Sequence, residues 1–307
     1  MSPTPVIAIV GSGSIGGYYG ARLAQHGHHV HFLLRSDFQS VKQHGWTLRS
    51  AGGDLQLPPD RFHAHHDPRD FPPDNLVVLT LKSTSAADYR TLLTPLLGPG
   101  TAILTLQNGL GNEEALAAQF GAARIIGGLA WICSTRTAPG VIDHAFGGRI
   151  QISDFVGGNT PRARAVARLF NSSNVDAQVL DDIRTGKWRK LGWNVAFSGL
   201  GALLGLSTDR VLATEDGVQF VRALVTEIIS IARAQDIDIP DDFSSQIIPF
   251  TRGMGAYRTS MQIDRVAGRP MELEAIFAAP LRYARQLNVP CPRLSTLFEL
   301  LKLLDAR

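Results

Sequence analysis

The chain has 307 residues, 44% of them hydrophobic and 19% charged, with a net charge of +3. That length suits about two domains, each able to bury its own core. The small, dispersed positive charge argues against nucleic acid as a partner and suits an anionic cofactor or substrate. Cys133 and Cys291 stand far apart, no apolar stretch has the length of a membrane span, and Met1-Ser2-Pro3-Thr4-Pro5 lacks a basic leader segment. These features predict a soluble cytoplasmic protein with no membrane span, no disulfide framework and no thiolate metal site.

The first apolar run, 6–10, feeds into Gly11-Ser12-Gly13-Ser14-Ile15-Gly16. A helix-compatible stretch follows, stopping at His26-Gly27, and a second apolar run at 30–34 ends in Arg35. Strand, glycine turn, helix and strand make the opening unit of a dinucleotide site. Gly11 permits the tight turn, Gly13 lets the backbone approach a pyrophosphate, and Gly16 lets the helix sit close to the strand. The N–H groups of the helix start then face the phosphates. Arg35 at the second strand end suits a ribose 2′-phosphate, so NADP(H) is the expected cofactor, with Asp37 the competing acid for a free 2′-hydroxyl. The alternative reading of Arg35 is a solvated strand-end charge.

Further β-type runs at 76–81, 102–106 and 125–129, with a helix at 113–120, predict an α/β fold built on a doubly wound, Rossmann-type parallel sheet. Segments 141–144 and 149–153 read as a hairpin around a glycine-bearing turn, followed by a helix at 161–171 and a strand at 177–180. From residue 182 strand signals fade, and amphipathic runs at 187–204, 217–235, 271–287 and 294–304 predict an all-helical domain. The expected division is therefore 1–181, binding cofactor, and 182–307, carrying substrate and catalytic residues. Ligand is expected in a crevice between them. The apolar helices of the second half suit a homodimer.

Several polar residues stand where chemistry could use them. Lys82 follows the run 76–81 and could reach cofactor phosphate or ribose; a surface charge is the competing reading. Asn108 ends the run 102–106, before Gly109, and could donate to a substrate or nicotinamide oxygen; a simple turn pair is the alternative. Lys190, Asn194 and Ser198 recur every fourth residue and align on one helix face among apolar neighbours. A lysine there would be partly desolvated, its pKa falling from about 10.4 toward a general acid's range. A solvated face with a snorkelling lysine is the competing reading. Ser260 is a loop or helix-start hydroxyl, and Glu272 opens a helix behind Pro270, where an acid is favoured anyway. Asp264 and Arg269 read as structural. Two histidine groups, His26, His28, His29 and His31, then His63, His65 and His66, look metal-like. In the first, however, His29 and His31 share one strand face with no carboxylate to complete a ligand set, and zinc is expected at neither group.

Taken together, the glycine turn with Arg35, Thr80-Leu81-Lys82, Gln107-Asn108-Gly109, Trp188-Arg189-Lys190-Leu191 with Asn194, and Ser260-Met261 with Glu272 resemble the ketopantoate reductase family over nearly the whole chain. The resemblance implies NADPH-dependent reduction of a small anionic 2-oxo acid to a 2-hydroxy acid. It implies Lys190 as general acid, Glu272 as a catalytic positioning group, and Asn108, Asn194 and Ser260 as substrate-binding residues, with Ser198 beside them. The implied cofactor set is Gly11, Ser12, Gly13, Ser14, Ile15, Gly16, Arg35, Lys82, Asn108 and Glu272, with no metal. Departures from the family pattern are Ser198 and Thr208 where asparagines are usual, the run Ser198-Gly199-Leu200-Gly201-Ala202, and Phe277-Ala278 after the glutamate. These predict a more apolar pocket and leave open a D-2-hydroxyacid dehydrogenase acting on another 2-oxo acid, or a non-catalytic NADP-binding sensor.

Overall fold

A computed structural model describes residues 5–72, 74–84 and 88–305, the side chains of residues 74 and 75 excepted. The chain divides into two compact units, Met1–Gln107 with Asn112–Ile183, and Asn108–Gly111 with Arg184–Arg307. The loop Asn108–Gly111 thus leaves the sheet unit and clusters with the helical one.

The first unit is built on one sheet: β1 (Val6–Val10), β2 (His29–Leu33), β3 (Trp46–Ser50), β4 (Leu55–Leu57), β5 (His63–His65), β6 (Asp74–Leu79), β7 (Leu97–Thr105), β8 (Ile125–Ala138), β9 (Val141–Asp154) and β10 (Ala177–Val179). The strand order is β4-β3-β9-β8-β7-β6-β1-β2-β5, with β10 beside β9. Among the described residues only β3–β4 and β8–β9 pair antiparallel. This is the Rossmann-type α/β arrangement that the early strand–helix alternation predicts. In β1, Ile7 and Ile9 pack with Tyr19, Phe32 and Trp46 on one face, while Ala8 and Val10 pack with Val77, Leu79 and Leu93 on the other. Burial on both faces explains why the central strands read as unbroken apolar runs.

Two departures from expectation concern the strands added to the central sheet. Segments 141–144 and 149–153 belong to one long strand, β9, whose hairpin partner is β8 and whose turn lies at Pro139–Gly140. Gly147 and Gly148, both with positive φ, are accommodated as an irregularity in the β8–β9 register instead of forming a turn. Strands β3, β4 and β5 were not anticipated; they are short, and β4 and β5 form the sheet's edges.

From 184 onward the regular structure among the described residues of the second unit is all helical. The run 183–204 is continuous but not uniform: Ile183–Trp193 is α-helical, Asn194–Ser198 is a π turn, and Gly199–Leu204 is α-helical again. A second π turn, Glu274–Ala278, opens the helix that continues as Ala279–Gln286. Glu215–Arg233 and Pro292–Asp305 pack against these segments. No helix among the described residues is long and apolar enough to cross a membrane.

Candidate active site

Each glycine of the first turn has a separate job. Gly11 has φ +102°, and a Cβ there would lie 2.4 Å from the Leu81 backbone nitrogen. A Cβ on Gly16 would lie 2.6 Å from the Gly11 carbonyl oxygen and 2.9 Å from Ile9 Cγ2, so the helix Ser14–Gln25 sits on β1 only because that atom is missing. Gly13 is different: a Cβ there would meet no protein atom closer than 4.0 Å. Its packing needs no glycine, and the open space above it fits the close approach of a pyrophosphate. The helix start also fits an anion, because its first turn carries no acid and its leading N–H groups have no partner within the helix. Thr80 braces the turn by donating its hydroxyl to the Gly11 carbonyl at 2.7 Å. Ser12 donates its hydroxyl to the Leu33 carbonyl at 3.0 Å, tying the turn to β2.

Beyond β2, the two candidates for the ribose end have different fates. Arg35 is exposed, and its guanidinium makes no hydrogen bond or ion pair among the described residues. Asp37 is 3% exposed and pairs with Arg136. Its Oδ1 also accepts from the Ser36 hydroxyl at 2.8 Å, and its Oδ2 from the Gly140 N–H at 3.4 Å. The acid that competes for a 2′-hydroxyl is therefore engaged inside the unit. Lys82 is exposed, two residues past Thr80. Its loop is fixed by Gln107, which donates from Nε2 to the Leu81 carbonyl and to the Tyr89 hydroxyl, both at 2.9 Å.

In the helical unit, three predicted residues meet. Lys190, half-buried, donates from Nζ to Asn108 Oδ1 at 2.8 Å, and Asn108 Nδ2 donates to Glu272 Oε2 at 3.2 Å. A lysine has only donors and a carboxylate only acceptors, so the two partners fix which way the Asn108 amide points. Glu272, 5% exposed, precedes the first helical residue of 273–286. An ion pair between Asp264 and Arg269 at 2.9 Å braces the connection leading to it. The loop carrying Asn108 is held by the Leu110 N–H, which donates to the Ala275 carbonyl at 3.0 Å inside the second π turn.

Asn194 and Ser198 lie on the π turn that follows Lys190's helix, buried, with no side-chain hydrogen bond among the described residues. The four-residue spacing therefore does not describe a regular α-helical stripe: a π turn has more residues per turn, so the expected alignment is altered from Asn194 onward. Ser260 is the exposed first residue of the helix Ser260–Val266, and no hydrogen bond joins it to the other three.

Two residues expected to reshape the pocket have partners of their own. Thr208 donates its hydroxyl to the Gly255 carbonyl at 2.7 Å and is buried. Phe277 is fully buried and stacks on Phe298, with ring centroids 6.3 Å apart. Thr208 is thus a loop anchor and Phe277 a core residue, because both side chains find partners within their own unit. Ser198, unlike Thr208, makes no side-chain hydrogen bond among the described residues. Thr80, Gln107 and Arg136 brace the turns that carry Gly11, Lys82 and Asp37; the sequence names the first two only as parts of motifs beside strand ends, and Arg136 carries no local signal. His31, His63 and His65 stack across β2 and β5, with His31 Nδ1 2.9 Å from His65 Nε2.

A family model described as ketopantoate reductase PanE/ApbA matches residues 7–157, and the model of that family's C-terminal part matches 182–305. The chain belongs to the ketopantoate reductase family. It is thereby an oxidoreductase, of the NADP-dependent class that reduces 2-oxo acids. A 2-dehydropantoate 2-reductase of Nostoc sp. is 37% identical, over 98% of this chain and 95% of that one. A crystal structure of 2-dehydropantoate 2-reductase from Geobacter metallireducens GS-15 superposes with a TM-score of 0.94 at 42% identity, covering 97% and 99% of the two chains. A ternary structure of D-mandelate dehydrogenase with NADH and anilino(oxo)acetate shares the fold, with a TM-score of 0.87 at 21% identity over 97% of each chain.

Proposed function

We propose that this protein reduces 2-dehydropantoate to pantoate with NADPH, Lys190 serving as general acid. The hydrogen-bonded series Lys190–Asn108–Glu272 carries the reading. The names of the relatives support the substrate, and the exposed Arg35 with the engaged Asp37 supports the phosphorylated cofactor. When bound, the dinucleotide supplies a hydride to the substrate's ketone carbon.

This chain's residues do the rest. Gly11, Gly13 and Gly16, with the N–H groups of Ser14 and Ile15, would hold the pyrophosphate. Arg35 would hold the 2′-phosphate, and Lys82 would add charge at the adjacent strand end. As negative charge grows on the ketone oxygen, the Lys190 ammonium stabilises it and then donates a proton from Nζ. Asn108 keeps that ammonium aimed by accepting one of its hydrogens. Glu272, buried and acceptor-only, locks Asn108 in the orientation that permits this. Asn194, Ser198 and Ser260 would bind the carboxylate and the hydroxyl without adding a fixed charge. The protein would work as a homodimer through its helical half, where Leu300 and Leu303 are exposed on the helix Pro292–Asp305, and in the cytoplasm, where Cys133 and Cys291 remain without a disulfide.

The experiment is NADPH consumption by the purified protein with 2-dehydropantoate, 2-oxoisovalerate and phenylglyoxylate. A preference for 2-dehydropantoate over 2-oxoisovalerate, which lacks its hydroxymethyl group, approaching 10⁴-fold marks a dedicated hydroxyl partner. A similar rate on 2-oxoisovalerate assigns the chain instead to a D-2-hydroxyacid dehydrogenase of a more apolar substrate, a reading that Ser198 in place of asparagine favours. No turnover, with tight NADPH binding, overturns both and leaves a cofactor-binding sensor.

A further inference from the structure

We propose that Arg136 is a positioning residue for cofactor choice, holding the Asp37 carboxylate inside the sheet unit and away from the ribose 2′ position. This rests on the reading of Arg35 as the 2′-phosphate site. Arg35, Ser36 and Asp37 are consecutive residues of the turn after β2, so whichever side chain faces outward decides what that turn prefers. An outward arginine attracts a 2′-phosphate; an outward acid binds a 2′-hydroxyl and repels the phosphate.

The inward position of Asp37 is built by a remote element. Arg136 lies near the end of β8, 99 residues away along the chain. Together with the Gly140 N–H, it clasps the carboxylate from the β8–β9 turn. That turn is itself tied down. The Thr47 N–H on β3 donates to the Gly140 carbonyl at 2.8 Å, and Ser40 donates its hydroxyl to the Pro139 carbonyl at 3.4 Å. Gly140 has φ +72°, and a Cβ there would lie 3.0 Å from the Gly45 carbonyl oxygen. The hairpin tip is thus pressed against the helix Phe38–His44 that Asp37 precedes. Without Arg136, the buried carboxylate keeps only a hydroxyl and a long N–H contact. A charge so placed is costly, and turning outward to solvent relieves it.

The test uses the cofactor-free protein and calorimetric titration with adenosine 2′,5′-bisphosphate and with AMP. The wild type should prefer the bisphosphate. Arg136→Leu should lose at least about tenfold of that preference, with AMP binding kept or improved, and Arg136→Lys should retain it. Asp37→Asn combined with Arg136→Leu should restore it, because no carboxylate remains to turn outward. Loosened structure alone would weaken both ligands together and would not be rescued by the second substitution; either pattern overturns the proposal. Should Arg136→Leu fail to fold, Arg136→Gln takes its place with the same expected loss. A wild type without preference for the bisphosphate overturns the Arg35 reading and this proposal together. A preference abolished in Arg35→Ala but intact in Arg136→Leu and Arg136→Gln removes Arg136 alone.

Discussion

Alanine placed separately at Gly13 and Gly16 should separate ligand binding from packing. At Gly16, the added Cβ would press within 2.6 Å of the Gly11 carbonyl oxygen, a backbone atom that cannot swing aside. Overpacking of this kind costs about 1–3 kcal/mol, offset by up to about 1 kcal/mol of better helix propensity. Because Thr80 Oγ1, Gly11 O and Ile9 Cγ2 all lie inside 3.0 Å of that Cβ, the upper part of the range, about 2–3 kcal/mol, applies. Less the full offset, the net loss is about 1–2 kcal/mol, which in a domain of this size lowers Tm by roughly 2–8 °C. At Gly13, the new atom meets nothing within 4.0 Å and φ is −82°, which alanine adopts freely. The cost there is at most the weaker capping of alanine, about 1 kcal/mol or less. A pyrophosphate in that space would be displaced, so NADPH affinity should fall at least tenfold, or about 1.4 kcal/mol. Thermal unfolding without cofactor and fluorescence titration with NADPH read the two effects. The reasoning fails if Gly13→Ala binds NADPH as the wild type does, or if Gly16→Ala leaves Tm unchanged.

Lys190→Ala should lower kcat by about 10²–10⁴-fold while NADPH affinity changes little; near-normal turnover removes Lys190 from the chemistry. Arg35→Ala should raise KM for NADPH and barely alter that for NADH, whereas equal use of both cofactors by the wild type refutes the role. Burial, reinforced by His63, His65 and His29, lowers the His31 pKa to about 4. Since the unfolded chain takes up that proton near pH 6.5, this contribution to stability is intact above that value and declines as the pH falls toward 4. Urea unfolding at stepped pH should therefore show a shallower acid decline in His31→Gln than in the wild type, and parallel curves refute the assignment.

The residues whose roles are set by local chain chemistry were legible in the sequence. The glycine turn is one such case, since strand, turn and helix are contiguous and each glycine answers to a neighbour within reach. That Lys190, Asn108 and Glu272 act together was legible only through the family pattern, because 82 and 164 residues separate Asn108 from its two partners. Hydrophobic periodicity does not encode such meetings. The two π turns escaped for another reason: they keep the apolar composition of an α-helix and change only the hydrogen-bond step, so the four-residue spacing at Lys190 promised an alignment that the backbone alters. Phe277 and Thr208 show what residue type alone does not carry: burial places the one in the core, and a backbone acceptor anchors the other. Asp37 shows the reverse. A conspicuous acid beside the expected ribose site is neutralised by an arginine that no local pattern would connect to it.

The placement of Asn108–Gly111 with the helical unit has a consequence for dissection of the protein. The polypeptide crosses between the units at 107/108, 111/112 and 183/184, so no single cut yields two self-sufficient halves. A fragment starting at Arg184 would contain Lys190 and Glu272 but lack the amide that joins them and the loop that seats against Ala275. Grafting this helical half onto the dinucleotide unit of a distant relative would succeed only if that donor's four-residue loop met the second π turn in the same way. The exchangeable module is therefore a discontinuous one, and the short loop travels with the helices.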